Sequence, residues 1–230
     1  MKQKIVALLP MKANSERVKG KNFRKLAGKP LFQWILDALL ENEYISSVVI
    51  NTDAKKILLD NGLLESERVI IRERKPELCG DFVSMNLILS DDIDNVPADI
   101  YLMTHTTNPL ITAQTIKHAL NKFLDERDTH DSLFTVNKFQ TRFYRDDLSA
   151  VNHDPNNLIR TQDLEPWYEE NSCLYIFTKK SFDKTKARIG KSPSMFVTAK
   201  LESVDIDEPE DWDMAEALAE RRIANKDKAV

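Results

Sequence analysis

Short, branched apolar runs recur along this chain, and most are followed by a stretch in which apolar residues return every three or four positions. The run Ile5 to Leu9 has the length of a fully buried strand and is ended by Pro10. Leu31, Trp34, Ile35, Ala38 and Leu39 then repeat at helical spacing, so Pro30 opens an amphipathic helix that ends near Asn42. Further strands are expected at Val48 to Asn51, Arg68 to Ile71, Asp99 to Met103, Ser132 to Val136, Leu174 to Phe177 and Glu202 to Ile206. Between them the spacing predicts a short helix from Ala54 to Gly62 and a helix opened by Asp81 with Val83, Leu87 and Ile88 facing inward. It also predicts one capped by Thr112 with Ile116, Ala119, Leu120 and Phe123 on one face, and a closing helix from Pro209 through Arg222 with Ala215 and Leu218 inward. Alternating strand and helix favours an α/β fold: a mainly parallel sheet covered on both faces.

The rhythm breaks from Lys138 to Pro166. This segment is polar and turn-rich, with HDPNN at His153 to Asn157, and carries Phe143 and Tyr144, with Trp167 just beyond. So long an excursion without helices reads as a hairpin-like insertion rather than core.

Two charged segments stand out against this background. Lys12, Arg17, Lys19, Lys21, Arg24 and Lys25 crowd the loop after the first strand. Such charges repel unless an anion or carboxylates neutralise them, and the carboxyl edge of an α/β sheet is where ligands bind. A polyanionic ligand is the expectation. Near the other end, Asp205 and Asp207 lie two apart on an extended segment, which places both carboxylates on one side, suited to a hard divalent cation such as Mg²⁺. Glu210 and Asp211, in the first turn of the last helix, are explained by its dipole instead. A cationic loop and a carboxylate pair, each after a strand, together describe nucleotidyl transfer, which requires no protein nucleophile. No GxSxG and no Cys/His pair is present; His105 could act as a base or be a satisfied structural histidine.

Composition narrows the field. With 230 residues, 42% hydrophobic and 30% charged, the chain can form one large α/β domain, with a small insertion at most. A net charge of −4 and a pI near 5.7 argue against general nucleic-acid binding. Only five glycines occur, with neither GxGxxG nor GxxxxGK[ST], so neither a nicotinamide-binding domain nor a P-loop ATPase is supported. Cys79 and Cys173 have no ligand spacing and are expected to be buried free thiols. No apolar run suits a signal peptide or membrane span, which points to the cytoplasm and away from membranes.

Six segments in order carry a resemblance: the loop with KNFRKLAGKPL from Lys21, the Asn51-Thr52-Asp53 triplet, RKPELCGD, THTTNPLIT, ENSCLYIF and the VDID pair. The chain resembles the acylneuraminate cytidylyltransferases, or CMP-sialic acid synthetases, from Ile5 to about Leu218. The resemblance implies a Rossmann-like three-layer α/β/α fold of a single domain, residues 1–230, whose insertion at about 138–168 makes a homodimer and reaches over the partner's site. It implies Mg²⁺-dependent transfer of CMP from CTP to an acidic 2-keto sugar, releasing pyrophosphate. On this likeness Lys12, Lys21 and Asp207 are catalytic. Lys12, Asn14, Ser15, Lys21, Asn22, Arg74 and Ser84 bind the nucleotide, with Ser84 near the cytosine. His105, standing in place of a glutamine, binds the sugar with Asn171 and Tyr175, and Asp205 and Asp207 hold the metal. The pattern ARxGSKG is replaced by Met11 to Arg17, with Arg17 or Lys19 available to supply the missing lysine charge, and QPTSPLR is replaced by HTTNPLI from His105. These departures bear on the sugar more than on the nucleotide. The alternatives are a 3-deoxy-manno-octulosonate cytidylyltransferase, a non-catalytic nucleotide-binding subunit, and a glycosyltransferase with a DxD pair, in which that pair would sit mid-chain.

Overall fold

In the computed structural model, residues 3–13 and 18–227 are described. The expectations for Asn14, Ser15 and Arg17 therefore lie outside the described residues. The chain runs β1 (Ile5–Leu8), β2 (Lys25–Leu26), β3 (Lys29–Pro30), α1 (Leu31–Glu41), β4 (Ile45–Thr52), α2 (Lys55–Asp60), β5 (Val69–Glu73), α3 (Met85–Asn95) and β6 (Ile100–Met103). It continues with α4 (Ala113–Asp125), β7 (Ser132–Phe139), β8 (Trp167–Phe177), α5 (Lys179–Thr185), β9 (Pro193–Val197) and α6 (Pro209–Asp227).

Seven of these strands form one sheet in the order β5-β4-β1-β6-β8-β7-β9. The pairs β5/β4, β4/β1, β1/β6 and β7/β9 are parallel, while β8 runs antiparallel to both β6 and β7. The two-residue period of a strand sorts β1 cleanly. Ile5 and Ala7 join the core beneath α1 and α4, and Val6 and Leu8 join the one beneath α3 and α5. The expected three-layer architecture is thus present. Helix α1 alone buries Leu31, Phe32, Ile35, Leu36, Ala38 and Leu39, and each large side chain among them contributes about 1.5–3 kcal/mol of transfer free energy.

Several elements differ from the sequence reading, among them the β2–β3 hairpin and α5, which it did not include. Residues Glu202 to Ile206 do not form a strand. They lie extended along the segment after β6, joined by Ile206 N donating to Thr107 O at 2.9 Å. The last strand is β9, whose mixed PSMFV sequence has no apolar run to betray it. Strand β8 is also longer than Leu174 to Phe177, because its polar first half pairs with β7 as far as Phe139 opposite Trp167 in a half-exposed ribbon. Helix α3 starts at Met85 with Ser84 as N-cap, so Val83 precedes it and Leu87 faces solvent; Ile88, Leu89 and Ile93 make the buried face. Cys173 is buried, whereas Cys79 is only partly so.

A third core cluster closes the sheet's carboxyl edge. Val18, Leu26, Leu31, Leu110 and Ile206 pack around Trp212, Ala215 and Ala219 of α6, and the Arg24 guanidinium lies 4.2 Å above the Trp212 ring. The β2–β3 hairpin turns through Ala27 (φ 46°) and Gly28 (φ 84°), two positive φ angles of the kind a tight two-residue turn demands. Ala27 N is held by Glu216 Oε1 at 3.1 Å. The amino-terminal loop and the carboxy-terminal helix are therefore locked together.

Candidate active site at the carboxyl edge of the sheet

Beyond β1 the chain continues extended, with Leu9 N and Met11 N donating to Val49 O and Asn51 O at 2.8 and 3.0 Å. Asp53 Oδ1 then accepts from Ala13 N at 2.7 Å, and Lys12 Nζ reaches Asp81 Oδ1 at 2.9 Å across the mouth of the cleft. Both partners of that ion pair are well exposed, so it contributes little to stability. On the far side of the loop, Lys21 is only 7% exposed. Its ammonium donates to Ile206 O at 2.5 Å and lies 3.7 Å from Asp207 Oδ1. The cationic loop and the carboxylate pair, 184 residues apart at Lys21 and Asp205, thus meet at one place.

Asn22 explains why Lys21 is held there. Its amide donates to Lys12 O at 2.8 Å and its Oδ1 accepts from Thr106 at 2.6 Å, clamping both ends of the loop to the segment after β6. Asp211, in the first turn of α6, accepts from Asp207 N at 2.9 Å and Glu208 N at 2.7 Å. That is the helix-capping place expected of it, and it also fixes the backbone that carries Asp207. Asp205 Oδ1 is buried with no hydrogen-bond partner among the described residues. Burial, with Asp207 adding to it, holds the Asp205 carboxyl above the usual range, against the hydrogen bond from Thr107 and the charge of Lys21.

Arg74 lies just past β5, 4% exposed. It donates through Nε to Asn51 Oδ1 at 2.9 Å and through Nη2 to the carbonyls of Asn51 and Met11 at 2.8 and 2.9 Å. It is a rivet between β4 and the start of the loop. Arg74→Met is expected to destabilise the protein by about 2–4 kcal/mol, since three buried acceptor contacts lose their donor. A denaturation midpoint unchanged from wild type would contradict this. Ser84 Oγ accepts from Asn86 N at 3.3 Å and so caps α3. Asn171 is engaged within the sheet, donating to Asn137 Oδ1 and Thr198 Oγ1 and accepting from Cys173 N.

On the other flank, Tyr175 pairs with Met103 at the end of β6, and its hydroxyl contacts Glu170, Ser172 and Arg188. Burial, then the Glu170 hydrogen bond, pushes that phenol up to about 12. His105 Nε2 lies 3.5 Å from Arg188 Nη1; because arginine only donates, Nε2 is the acceptor and the ring proton sits on Nδ1. Burial, with Arg188 and Lys21 adding to it against Asp207, lowers the imidazole to about 4. His105 is therefore neutral at ordinary pH. Between about pH 4 and 6.5 the unfolded chain holds a proton here that the folded one does not. This contribution is complete above pH 6.5 and lost as pH falls towards 4, by up to about 3 kcal/mol. His105→Gln is expected to flatten that part of the stability profile, and an equal loss of unfolding free energy between pH 7 and 4.5 in wild type and variant would contradict it.

Sequence reasoning gave no role to Asp53, Thr106 or Arg188. Asp53 and Thr106 lie inside segments that carry the family resemblance, so their places are visible; Arg188 lies in KARIG, which carries no pattern.

A mainly parallel sheet whose carboxyl edge gathers lysines from one end of the chain and aspartates from the other defines a nucleotide-handling α/β protein. The chain belongs to the cytidylyltransferase family, whose profile matches residues 6–230; it is an enzyme of that kind. It is 28% identical to a CMP-N,N'-diacetyllegionaminic acid synthase from Legionella pneumophila over 94% of this chain and 97% of the relative. A pseudaminic acid cytidylyltransferase from Campylobacter jejuni is 23% identical over 94% and 96%. An N-acylneuraminate cytidylyltransferase from Streptococcus agalactiae is 25% identical over 91% of this chain, which spans 52% of that longer protein. Among solved structures, a CMP:2-keto-3-deoxy-manno-octonic acid synthetase complexed with CTP superposes with TM-score 0.66 at 15% identity, over 95% of this chain and 99% of its own. A 4-diphosphocytidyl-2C-methyl-D-erythritol synthase from Anaerococcus prevotii superposes with TM-score 0.67 at 13% identity, with the same coverage. These two likenesses are of fold. Among the described residues no helix is long and apolar enough to cross a membrane.

Proposed function

We propose that this chain transfers CMP from CTP to a nonulosonic acid, an acidic nine-carbon 2-keto sugar of the sialic, legionaminic or pseudaminic type, releasing pyrophosphate. The observation that carries the reading is the meeting of Lys21 with Asp207 beside Asp205. The three relatives compared by sequence are named for nonulosonic acids, whereas the octulosonic synthetase is similar in fold only, which favours the nine-carbon acceptor. In the reaction, a sugar hydroxyl oxygen attacks the α-phosphorus, the bond to the β-phosphate oxygen breaks, and the hydroxyl proton passes to solvent. Lys12 and Lys21 bind the triphosphate, and Lys21 bears on the charge that grows as pyrophosphate leaves. Asn22 and Arg74 act by holding the loop, and Ser84, the N-cap of α3, is assigned to the cytosine. Tyr175 and His105 flank the acceptor, and Asn171 braces the strand that carries Tyr175.

Asp205 and Asp207 fit a divalent cation. One buried Asp205 oxygen lacks a partner, burial and the neighbouring Asp207 raise the cost of charging Asp205, and no group of three or more His, Cys, Asp or Glu side chains among the described residues forms a cage. Two carboxylates completed by phosphate oxygens and waters is the set that Mg²⁺ prefers. When bound, the ion would neutralise developing phosphate charge.

The ribbon beyond β7 presents Tyr144, Leu148, Leu158, Ile159, Trp167 and Tyr168 to solvent, a surface suited to a second copy of the chain. Light scattering at micromolar concentration is expected to give a dimer that Leu148→Glu dissociates; a monomeric wild type would contradict this. The function itself is tested by pyrophosphate release with CTP, Mg²⁺ and, in turn, N-acetylneuraminic, N,N'-diacetyllegionaminic, pseudaminic and 3-deoxy-manno-octulosonic acids. Release is expected with at least one nine-carbon acid and not with the octulosonic acid. Release with none, or equal release when UTP replaces CTP, would overturn the reading.

A further inference from the structure

Arg188 has the placement of a ligand-reading residue. It lies between α5 and β9, on a loop pinned from Gly190 to Ser192. Gly190 N donates to Ser132 Oγ at 2.8 Å, and Lys191 N and Ser192 N donate to Asp131 at 3.0 and 3.1 Å. No side chain fits at Gly190, where a Cβ would stand 2.1 Å from Asp131 Oδ1. The loop so fixed aims Arg188 at the carboxyl end of β6. Its Nη1 is 3.5 Å from His105 Nε2 and 3.9 Å from Met103 Sδ, and its guanidinium carbon lies over the Tyr175 ring, 3.8 Å from the centroid, with Nη2 donating to the Tyr175 hydroxyl at 2.9 Å. The nearest carboxylate, Glu170, is 3.6 Å away and already accepts from Tyr175. The side chain remains 22% exposed. A rigid, stacked guanidinium with a loosely matched charge suits planar recognition of paired oxygen acceptors.

Resting on the function proposed above, we infer that Arg188 is a specificity-determining residue that reads an oxygen-bearing substituent of the acceptor sugar. Two groups on such a sugar offer this chemistry, the carboxylate and an N-acyl carbonyl, and the test separates them. For wild type, Arg188→Met and Arg188→Lys, the KM for N,N'-diacetyllegionaminic acid is measured beside CTP affinity and thermal midpoint. The measurement is repeated with the acid's carboxamide and with the acceptor bearing free amines in place of its N-acyl groups. Should wild type prefer another nine-carbon acid, that acid and its two derivatives replace this set.

Arg188→Met is expected to raise the acceptor KM about 10- to 100-fold, with CTP affinity within twofold of wild type and Arg188→Lys intermediate. Preference for the parent acceptor should collapse against the carboxamide if the carboxylate is read, or against the amine if the acyl group is read. An unchanged acceptor KM overturns the inference, as does a parallel loss of CTP affinity and stability with both preferences intact, which would mark a purely structural prop. If Arg188→Met does not fold, the Lys variant carries the same comparison. A wild type that releases no pyrophosphate with any acceptor removes the underlying reading and this inference with it, whereas an active wild type with an indifferent Arg188 removes only the inference.

Discussion

Asp207→Asn is expected to lower CMP transfer about 100- to 1,000-fold while leaving the fold intact. The carboxylate is 44% exposed at its side chain and belongs to no apolar cluster, so the isosteric amide leaves packing untouched. What is lost is one of two negative charges proposed to hold Mg²⁺ on the departing pyrophosphate, and removal of a single electrostatic stabiliser of a transition state has an effect of about this size. The thermal midpoint should shift little, because the backbone at 207 is held by Asp211 through main-chain donors that the substitution does not alter, and Lys21, which loses a half-exposed charge 3.7 Å away, keeps its hydrogen bond to Ile206 O. Turnover within threefold of wild type across a Mg²⁺ titration would remove Asp207 from the metal site.

Lys21→Met is expected to weaken CTP binding about 10- to 100-fold, the equivalent of about 1.5–3 kcal/mol for a charge-assisted hydrogen bond. The Met side chain retains the buried stem, but it leaves Ile206 O without the donor that now sits 2.5 Å away. A loss of about 1–3 kcal/mol in stability accompanies the change. Lys21→Arg separates the two effects, since it restores a charge without the same reach to Ile206. Calorimetric titration with CTP in Mg²⁺ checks the first effect and denaturation the second; unchanged CTP affinity in Lys21→Met would take the lysine out of the nucleotide site.

Much of the fold was legible because burial on both faces leaves an unmistakable signature. The runs at Ile5, Val48 and Asp99 and the spacing of α1 and α4 could be read directly, as could the cap at Thr112, whose Oγ1 accepts from Thr115 N at 3.1 Å. The half-exposed elements were not legible. Strand β9 and the first half of β8 alternate weakly, because one side faces solvent or ribbon, and sheet pairing rather than composition decides them. Glu202 to Ile206 looked like a strand for the opposite reason: Ile206 is buried and Val204 partly so, but against Trp212 and the post-β6 segment, without ladder bonds.

In the site, the charged residues were visible as clusters, and what sequence could not supply was their division of labour. Asn22, Arg74 and Asn171 brace neighbouring segments through neutral acceptors and donors, whereas Lys21 also faces the Asp207 carboxylate, a distinction that only three-dimensional neighbours reveal. Arg188 stayed hidden because its significance depends on a loop pinned from 58 residues upstream, at Ser132.

The central claim is that the amino-terminal lysines and the carboxy-terminal aspartates serve one bound nucleotide. A crystal structure of the protein with CTP and Mg²⁺ measures this directly. The account predicts the triphosphate between Lys12 and Lys21, a phosphate oxygen within hydrogen-bonding distance of Lys21 Nζ, and a cation shared by Asp205, Asp207 and the phosphates. A triphosphate seated elsewhere, such as the basic hollow lined by Arg127, Lys180, Lys184 and Lys191, with Asp205 and Asp207 untouched, would contradict it.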